Sequence, residues 1–115
     1  MIDFACKKFD LEEIIRCSLS LSKAEFKILK LFLSNKQDYF KTQDISKKLN
    51  LELSTIQRAV KKLHSLDIIQ RSQKNLSSGG YVYQYKLNSK AEVKSKIQSV
   101  INSWNEKVTS ELNNW

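Results

Sequence analysis

The chain has 115 residues, of which 41% are hydrophobic and 28% are charged, a balance typical of one globular domain with its own core. Its formal net charge of +8 favours a polyanionic partner, and no apolar run approaches the roughly 20 residues of a membrane span. The N-terminus lacks the pattern of a signal peptide, so we expect a cytoplasmic protein that does not bind membranes. Proline is absent and the only two glycines, Gly79 and Gly80, are adjacent, which predicts a mainly helical chain with one tight turn.

The positive charge is concentrated between residues 54 and 86. That segment contains six lysine and arginine residues and one acid, Asp67, whereas the first twenty residues contain three basic and four acidic side chains. Because neutralising phosphates releases condensed counterions, such a segment suits a nucleic acid. An anionic membrane is the competing polyanion, but the apolar residues of this segment are better used as core.

Residues 1–20 are predicted to form an N-terminal helical segment. Its helix spans Asp10–Ser18, with Asp10 as the cap and Glu13 completing a capping box. Cys6 precedes this helix and Cys17 lies at its end, and without a histidine nearby they do not form a metal site. We interpret them as small buried hydrophobic residues, with a redox-sensing pair or a disulfide between two copies as the alternative.

Residues 22–34 are predicted to form a second helix, which begins at a capping box of Ser22 and Glu25. Apolar residues occupy almost all of its sides, so we expect it to be buried on several faces and to be the central strut of the domain. A polar loop follows, and residues 39–41 are predicted to form a very short strand.

A third helix is predicted over residues 43–49, capped by Thr42 and ended by Asn50 in the left-handed conformation. After a turn of about three residues, a fourth helix is predicted over residues 54–65. Two short helices in this arrangement make a helix-turn-helix. The turn of this motif commonly contains a glycine, whose place Asn50 takes here.

The fourth helix has one apolar face. Ser54 and Gln57 are predicted to form its capping box. Its apolar residues recur at helical spacing and predict a stripe against the core. They are Ile56, Ala59, Val60 and Leu63.

The opposite face of the fourth helix is polar and basic. Thr55 and Gln57 are suited to base edges in a major groove, and Arg58 to a base or a phosphate. Lys61 and Lys62 lie one turn further along and are better suited to backbone phosphates. The alternative is a surface helix with a solvated basic face.

Residues 68–87 are predicted to form a β-hairpin. The strand over residues 81–87 alternates aromatic and other side chains, and a polar loop over residues 73–80 precedes it. A helix-turn-helix followed by a hairpin is a winged helix. Arg71 and Lys74 place positive charge on the wing, where it reaches a minor groove or flanking phosphates. The alternative is a hairpin whose charge serves only solubility.

A long helix is predicted from Ser89 to residue 115. Apolar residues recur along it in steps of three and four, and the stripe is too long for a small winged domain to cover. We therefore expect two copies to pair through it, with a helix folded back on its own domain as the alternative. The predicted dimerisation residues are Val93, Ile97, Val100, Ile101, Trp104, Val108 and Leu112.

Two segments carry a resemblance to a known family: Ser-Thr-Ile-Gln-Arg-Ala-Val-Lys-Lys-Leu at residues 54–63 and Gly-Gly-Tyr-Val-Tyr at residues 79–83. With this layout the chain resembles, over residues 21–115, the small archaeal winged-helix transcriptional regulators of MarR/TrmB type. The resemblance implies a homodimer that binds double-stranded DNA and usually represses transcription. Within residues 1–115 we expect neither the sugar-binding domain of TrmB-type regulators nor a pocket for the phenolic ligands of MarR proteins, so no effector is assigned.

The resemblance also implies where DNA is contacted. It places major-groove contacts on the fourth helix and further contacts on the wing, and we add two residues at the start of the third helix. The major-groove residues are Ser54, Thr55, Gln57, Arg58 and Lys61; the others are Arg71 and Lys74 on the wing, and Thr42 and Gln43.

We therefore expect a mainly α protein with a small β-hairpin, built from an N-terminal segment (1–20), a winged helix-turn-helix domain (21–88) and a dimerisation helix (89–115). The predicted function is sequence-specific binding of duplex DNA as a homodimeric regulator, with no cofactor. An enzyme is not expected, because the single histidine, His64, has no nucleophile motif or paired carboxylates beside it. The alternatives are a protein–protein module, an architectural DNA-binding protein, and an RNA-binding module that stacks bases on Tyr81, Tyr83 and Tyr85.

Overall fold

The structure is a computed structural model that describes all 115 residues. Its elements are β1 (Ile2–Phe4), β2 (Lys7–Phe9), α1 (Leu11–Ser18), α2 (Lys23–Ser34), α3 (Thr42–Leu49), α4 (Leu53–Ser65), β3 (Ile69–Asn75), β4 (Tyr81–Leu87) and α5 (Lys90–Asn113). The predicted fold class, a mainly α winged helix-turn-helix with a long C-terminal helix, is confirmed. None of the helices is both long and apolar enough to cross a membrane.

The core lies between α2, α4 and the base of the wing. α2 contributes Ile28, Leu29 and Phe32, which are fully buried, and it packs against α3 and α4. The predicted stripe of α4 is buried along its whole length. Each aliphatic side chain buried in this way stabilises the fold by about 1.5–3 kcal/mol. α2 is thus the central strut, as its sequence predicts.

Residues 2–9 form a hairpin that the sequence does not predict. β1 pairs antiparallel with β2, and Ala5 in the turn between them has a positive φ of 48°. No glycine or asparagine marks this turn, so the sequence lacks the usual hairpin signal. Cys6 and Cys17 are both free and exposed, so their interpretation as buried hydrophobic residues is wrong. The redox alternative stays a prediction.

Some of the predicted helix caps are confirmed and others are wrong. Asp10 accepts a hydrogen bond from the Glu13 N–H at 2.8 Å, which confirms the cap of α1 without the reciprocal bond of a capping box. Ser22 and Glu25 form a complete capping box at α2, with bonds of 3.1 and 2.7 Å. The Thr42 cap is wrong, because α3 begins at that residue itself.

The start of α4 also differs from the prediction. The helix begins at Leu53 after Glu52, whose side chain makes no capping bond, and this places Ser54 inside the first turn. The predicted capping box of Ser54 and Gln57 is therefore absent. Asn50 does adopt the left-handed conformation at the end of α3, with φ 53° and ψ 46°, so the glycine of the turn is replaced as expected.

The wing spans the predicted residues, but its loop is shorter than predicted, because β3 continues to Asn75 and leaves only residues 76–80 as the turn. Gly79 and Gly80 have φ values of +93° and +78°, a backbone region that side chains with a Cβ rarely adopt. Phe40 pairs with Tyr85 on the other edge of β4 through two hydrogen bonds of 2.8 Å, so the strand predicted over residues 39–41 is reduced to a single-residue bridge.

α5 leaves the domain after its first two turns. Ser89 caps it by accepting a hydrogen bond from the Glu92 N–H at 3.0 Å, Val93 is buried, and Ile97 packs against the core. Every residue from 98 onward is exposed, and the molecule measures 64 × 24 × 24 Å. The alternative of a helix folded back on its own domain is therefore wrong.

Candidate nucleic-acid interface

The outward face of α4 carries polar side chains without partners inside the molecule. Ser54, Gln57, Arg58 and Lys61 are exposed and Thr55 is half-buried, because the opposite face of the helix is held against α2 and α3. None of the five side chains forms a hydrogen bond or an ion pair within the chain, in which only two ion pairs occur. Their hydrogen-bonding groups are thus free for an external partner.

Lys62 differs from the other basic residues of α4. Its ammonium donates to the backbone carbonyl of Ser20 and forms an ion pair with Glu25, where Nζ and Oε1 are 3.3 Å apart. The lysine thereby fastens α4 to the junction of α1 and α2. The sequence groups Lys62 with the phosphate-facing lysines, but the structure directs its ammonium into the protein.

The same contact changes the ionisation of Glu25. Burial raises the pKa of this carboxyl, but the hydrogen bond from the Ser22 N–H and the neighbouring Lys62 ammonium outweigh it and lower the pKa below the ordinary value of 4.5. Glu25 therefore serves two functions, because one carboxylate completes the capping box of α2 and holds the Lys62 ammonium.

The start of α3 lies beside α4 in the helix-turn-helix. Gln43 is exposed and Thr42 is half-buried, and the Thr42 hydroxyl donates to the Gln43 amide oxygen at 3.3 Å. Asp44 accepts a hydrogen bond from the Lys41 N–H at 3.0 Å and so satisfies one free donor ahead of the helix. The side chains of Thr42 and Gln43 are consequently not needed for capping.

The structure separates the two basic residues of the wing. In the register of the hairpin Arg71 is opposite Tyr85, and Lys74 is opposite Val82. Since successive side chains of a strand point to opposite faces, Arg71 lies on the same face as Ile69, and Lys74 lies on the other. The sequence groups the two residues as one contact set, whereas the structure places them on opposite faces of the wing.

The wing carries an aromatic cluster whose tyrosines the sequence places on one face, but the sequence does not place Arg71 beside them. The Arg71 guanidinium lies 4.3 Å from the centre of the Tyr83 ring, and the Tyr83 and Tyr81 rings are 5.3 Å apart. Tyr81 is 54% exposed and Tyr83 37% exposed. The Tyr83 hydroxyl raises the pKa of Tyr81 above its ordinary value of 10.0. Exposed tyrosines with a stacked arginine can contact bases or phosphates.

The comparisons with known proteins agree with this architecture. A family model described as the DnaD N-terminal domain matches residues 10–108. A possible transcriptional regulator from Methanosarcina mazei Go1 is 48% identical, with a TM-score of 0.95 over 100% of this chain and 96% of that one.

Two more distant proteins extend the comparison. An uncharacterized protein from Methanocaldococcus jannaschii is 28% identical over 86% of this chain and 74% of its own length. A mutant of MepR from S. aureus, solved bound to an oligodeoxyribonucleotide, is 15% identical, with a TM-score of 0.58 over 86% of this chain and 71% of that one. The likeness to MepR is one of fold.

Proposed function

The chain belongs to the DnaD N-terminal domain family, and we propose that it is a sequence-specific, homodimeric regulator of transcription that binds duplex DNA. The observation that carries the proposal is the division of α4 into two faces. Its apolar face is completely buried, whereas Ser54, Gln57, Arg58 and Lys61 on its other face have no partner within the chain. A helix fixed in this way presents rigid donors and acceptors to a major groove.

We assign the contacts by side-chain chemistry. Gln57 and Arg58 reach base edges, because an amide pairs with adenine and a guanidinium with guanine in bidentate fashion. Lys61 contacts a phosphate, and Thr42 and Gln43 contact the backbone from α3. Ser54 and Thr55 lie in the first turn of α4, where a recognition helix points toward the bases. Lys62 is left out of this set, because its ammonium is held by Glu25.

The wing supplies the second contact in this proposal. Because Arg71 and Lys74 lie on opposite faces, a wing that enters the minor groove directs one cation toward each phosphate backbone. The dimer then occupies its operator in the manner of MarR/TrmB-type repressors. The resemblance of the sequence and the fold shared with MepR support this mode.

The experiment compares three single substitutions on α4. Arg58→Ala is expected to weaken binding to the operator by about 1–3 kcal/mol and to relax the preference for one base. Lys61→Ala is expected to weaken binding to all sequences alike and to lower the slope of log K against log salt by about one. Fluorescence anisotropy over a salt series, with specific and scrambled duplexes, measures both effects.

Lys62→Ala is the matched control, because it removes the same charge from the same helix. We expect it to lower the free energy of unfolding and to leave DNA affinity close to that of the parent protein. If Lys61→Ala and Lys62→Ala weaken DNA binding equally, the orientation of these side chains does not matter. The proposal that α4 lies in the groove by its free face is then wrong.

RNA binding is a second candidate, favoured by the exposed Tyr81 and Tyr83 rings beside Arg71. Aromatic rings on a strand surface stack on unpaired bases. Competition between a duplex and a single-stranded RNA of equal length separates the two candidates. Tighter binding of the RNA, lost in Tyr81→Ala, would favour this second function.

A further inference from the structure

The apolar residues of α5 follow an eleven-residue repeat. From Val93 to Trp115 the positions are separated by 4, 4, 3, 4, 4 and 3 residues, and the members are Val93, Ile97, Ile101, Trp104, Val108, Leu112 and Trp115. Eleven residues in three turns is about 3.67 residues per turn, close to the 3.6 of a straight helix. The stripe therefore runs almost parallel to the helix axis, without the left-handed supercoil that a heptad repeat requires.

The apolar stripe of α5 is exposed from Ile101 onward. Val100, Ile101 and Val108 are each 37% exposed, and Trp104 and Leu112 are 57% and 61% exposed. This apolar surface has no cover within the chain, although it continues directly from Val93 and Ile97, which are covered by the domain. A surface of this kind indicates a partner.

The apolar stripes of two α5 helices are complementary when the helices run antiparallel. If two copies run antiparallel and are aligned at Trp104, residues equally far from Trp104 on either side face each other. Val100 of one copy then faces Val108 of the other, and the two Trp104 side chains face each other. Ile97 faces Glu111 and Ile101 faces Lys107, so each isoleucine lies within one residue of an apolar residue of the other copy, Leu112 or Val108.

The charges of α5 also favour the reversed arrangement. Its first half carries three lysines and one glutamate, and its second half carries two glutamates and one lysine. In the antiparallel pair Lys96 of one copy lies within one residue of Glu111 of the other. A parallel pair instead places the lysine-rich halves of both copies side by side, where like charges repel.

We infer that two copies of this chain pair through antiparallel α5 helices in a straight seam centred on Trp104. This inference rests on the dimer of the proposed function and specifies its geometry. The 24 residues of α5 span about 36 Å, so the winged domains are attached at opposite ends of a rod of that length. Operator half-sites one helical turn of DNA apart are separated by about 34–36 Å.

Cysteine crosslinking tests the direction of the pair. In a Cys6→Ser/Cys17→Ser background, a Val100→Cys chain and a Val108→Cys chain of different tag length are co-expressed and oxidised. The antiparallel seam predicts a disulfide between the two different chains and little self-crosslinking of either one. Self-crosslinking of each variant alone would show a parallel pair and overturn the inference, as would a dimer that forms no disulfide in any combination.

A charge exchange supplies the second measurement. Lys96→Glu and Glu111→Lys should each raise the dimer dissociation constant severalfold, and the double variant should return it to within about twofold of the parent value. In a parallel pair these residues are about 22 Å apart, so the two effects would simply add, which would overturn the inference.

The outcome is separable from that of the DNA-binding proposal. Light scattering that shows a monomer overturns both the dimer and its geometry, whereas the Arg58→Ala experiment on α4 is decided independently. A parallel dimer that binds its operator overturns only the inference made here. The DNA-binding proposal and the antiparallel geometry can therefore fail separately.

Discussion

α4 and α5 are both amphipathic helices, but the apolar stripe of α4 is buried whereas most of the stripe of α5 is exposed. All four residues of the α4 stripe are at most 2% exposed, whereas in the α5 stripe only the first residue, Val93, is buried. The two sequences give the same kind of signal, which is apolar residues at helical spacing. What differs is the partner: α4 lies against α2 and the wing, and most of α5 has no neighbour in its own chain. Periodicity therefore identifies a face to be buried but not the molecule that buries it.

The largest expected difference is in stability. Leu63→Ala removes a fully buried side chain of α4 and should lower the free energy of unfolding by about 2–5 kcal/mol. Leu112→Ala, the same substitution on the exposed stripe of α5, should change it by less than about 0.5 kcal/mol at concentrations where the chain is monomeric. Urea unfolding followed by circular dichroism measures both. Equal effects would contradict the contrast between the helices.

The two tryptophans report directly on the α5 stripe. Trp104 and Trp115 are the only tryptophans, and both lie in its exposed half. On dilution through the dimer dissociation constant their emission should shift to longer wavelength, while the far-ultraviolet circular dichroism of the winged domain stays unchanged. An emission maximum that does not depend on concentration, at the wavelength of water-exposed indole throughout, would show that α5 has no self-partner.

Most of the fold is predictable because it depends on local signals. The complete capping box of Ser22, the left-handed Asn50 and the paired glycines of the wing are each recognised within four residues of sequence. The N-terminal hairpin is missed because its turn uses Ala5 with a positive φ, for which alanine carries no sequence signal. The starts of α3 and α4 are each displaced by one residue because serine and threonine also occur inside a first turn.

The two predicted caps offer a smaller test of the same kind. Ser22→Ala removes a hydroxyl that accepts from the Glu25 N–H and should cost about 1 kcal/mol of unfolding free energy. Ser54→Ala should cost only a few tenths, because Ser54 lies in the first turn of α4 without a capping bond. Thermal or urea unfolding of both variants provides the comparison. If Ser54→Ala lowered the free energy of unfolding by about 1 kcal/mol, Ser54 would act as the cap of α4 that the sequence predicts.

The smallest expected effect depends on pH. The pKa of Glu25 is lowered in the folded chain, so its ionised form stabilises the fold above pH 4.5, and this contribution is lost as the pH falls through the folded-state pKa. The stability of the parent protein should therefore fall more steeply below pH 4.5 than that of Glu25→Gln. Glu12→Gln, in the exposed ion pair with Lys30, is the control and should follow the parent profile. Identical profiles for Glu25→Gln and the parent would contradict the Lys62 contact.

The candidate site is predictable in composition but not in orientation. Sequence spacing places Arg58, Lys61 and Lys62 on one side of α4, and only the three-dimensional structure brings Glu25, 37 positions earlier, to Lys62. The wing shows the same limit. Arg71 and Lys74 are three residues apart, and they fall on opposite faces only once the strand is known to continue through both.

The most direct test of the central claim is selection from a pool of random DNA duplexes at near-physiological salt. A homodimeric, sequence-specific regulator should enrich a two-fold symmetric motif with half-sites about one helical turn apart, and Arg58→Ala should lose the best-defined base of that motif. Strong, salt-sensitive binding without any enriched motif would contradict sequence-specific regulation and indicate an architectural DNA-binding protein. An absence of duplex binding would contradict the assignment of α4 as a recognition helix.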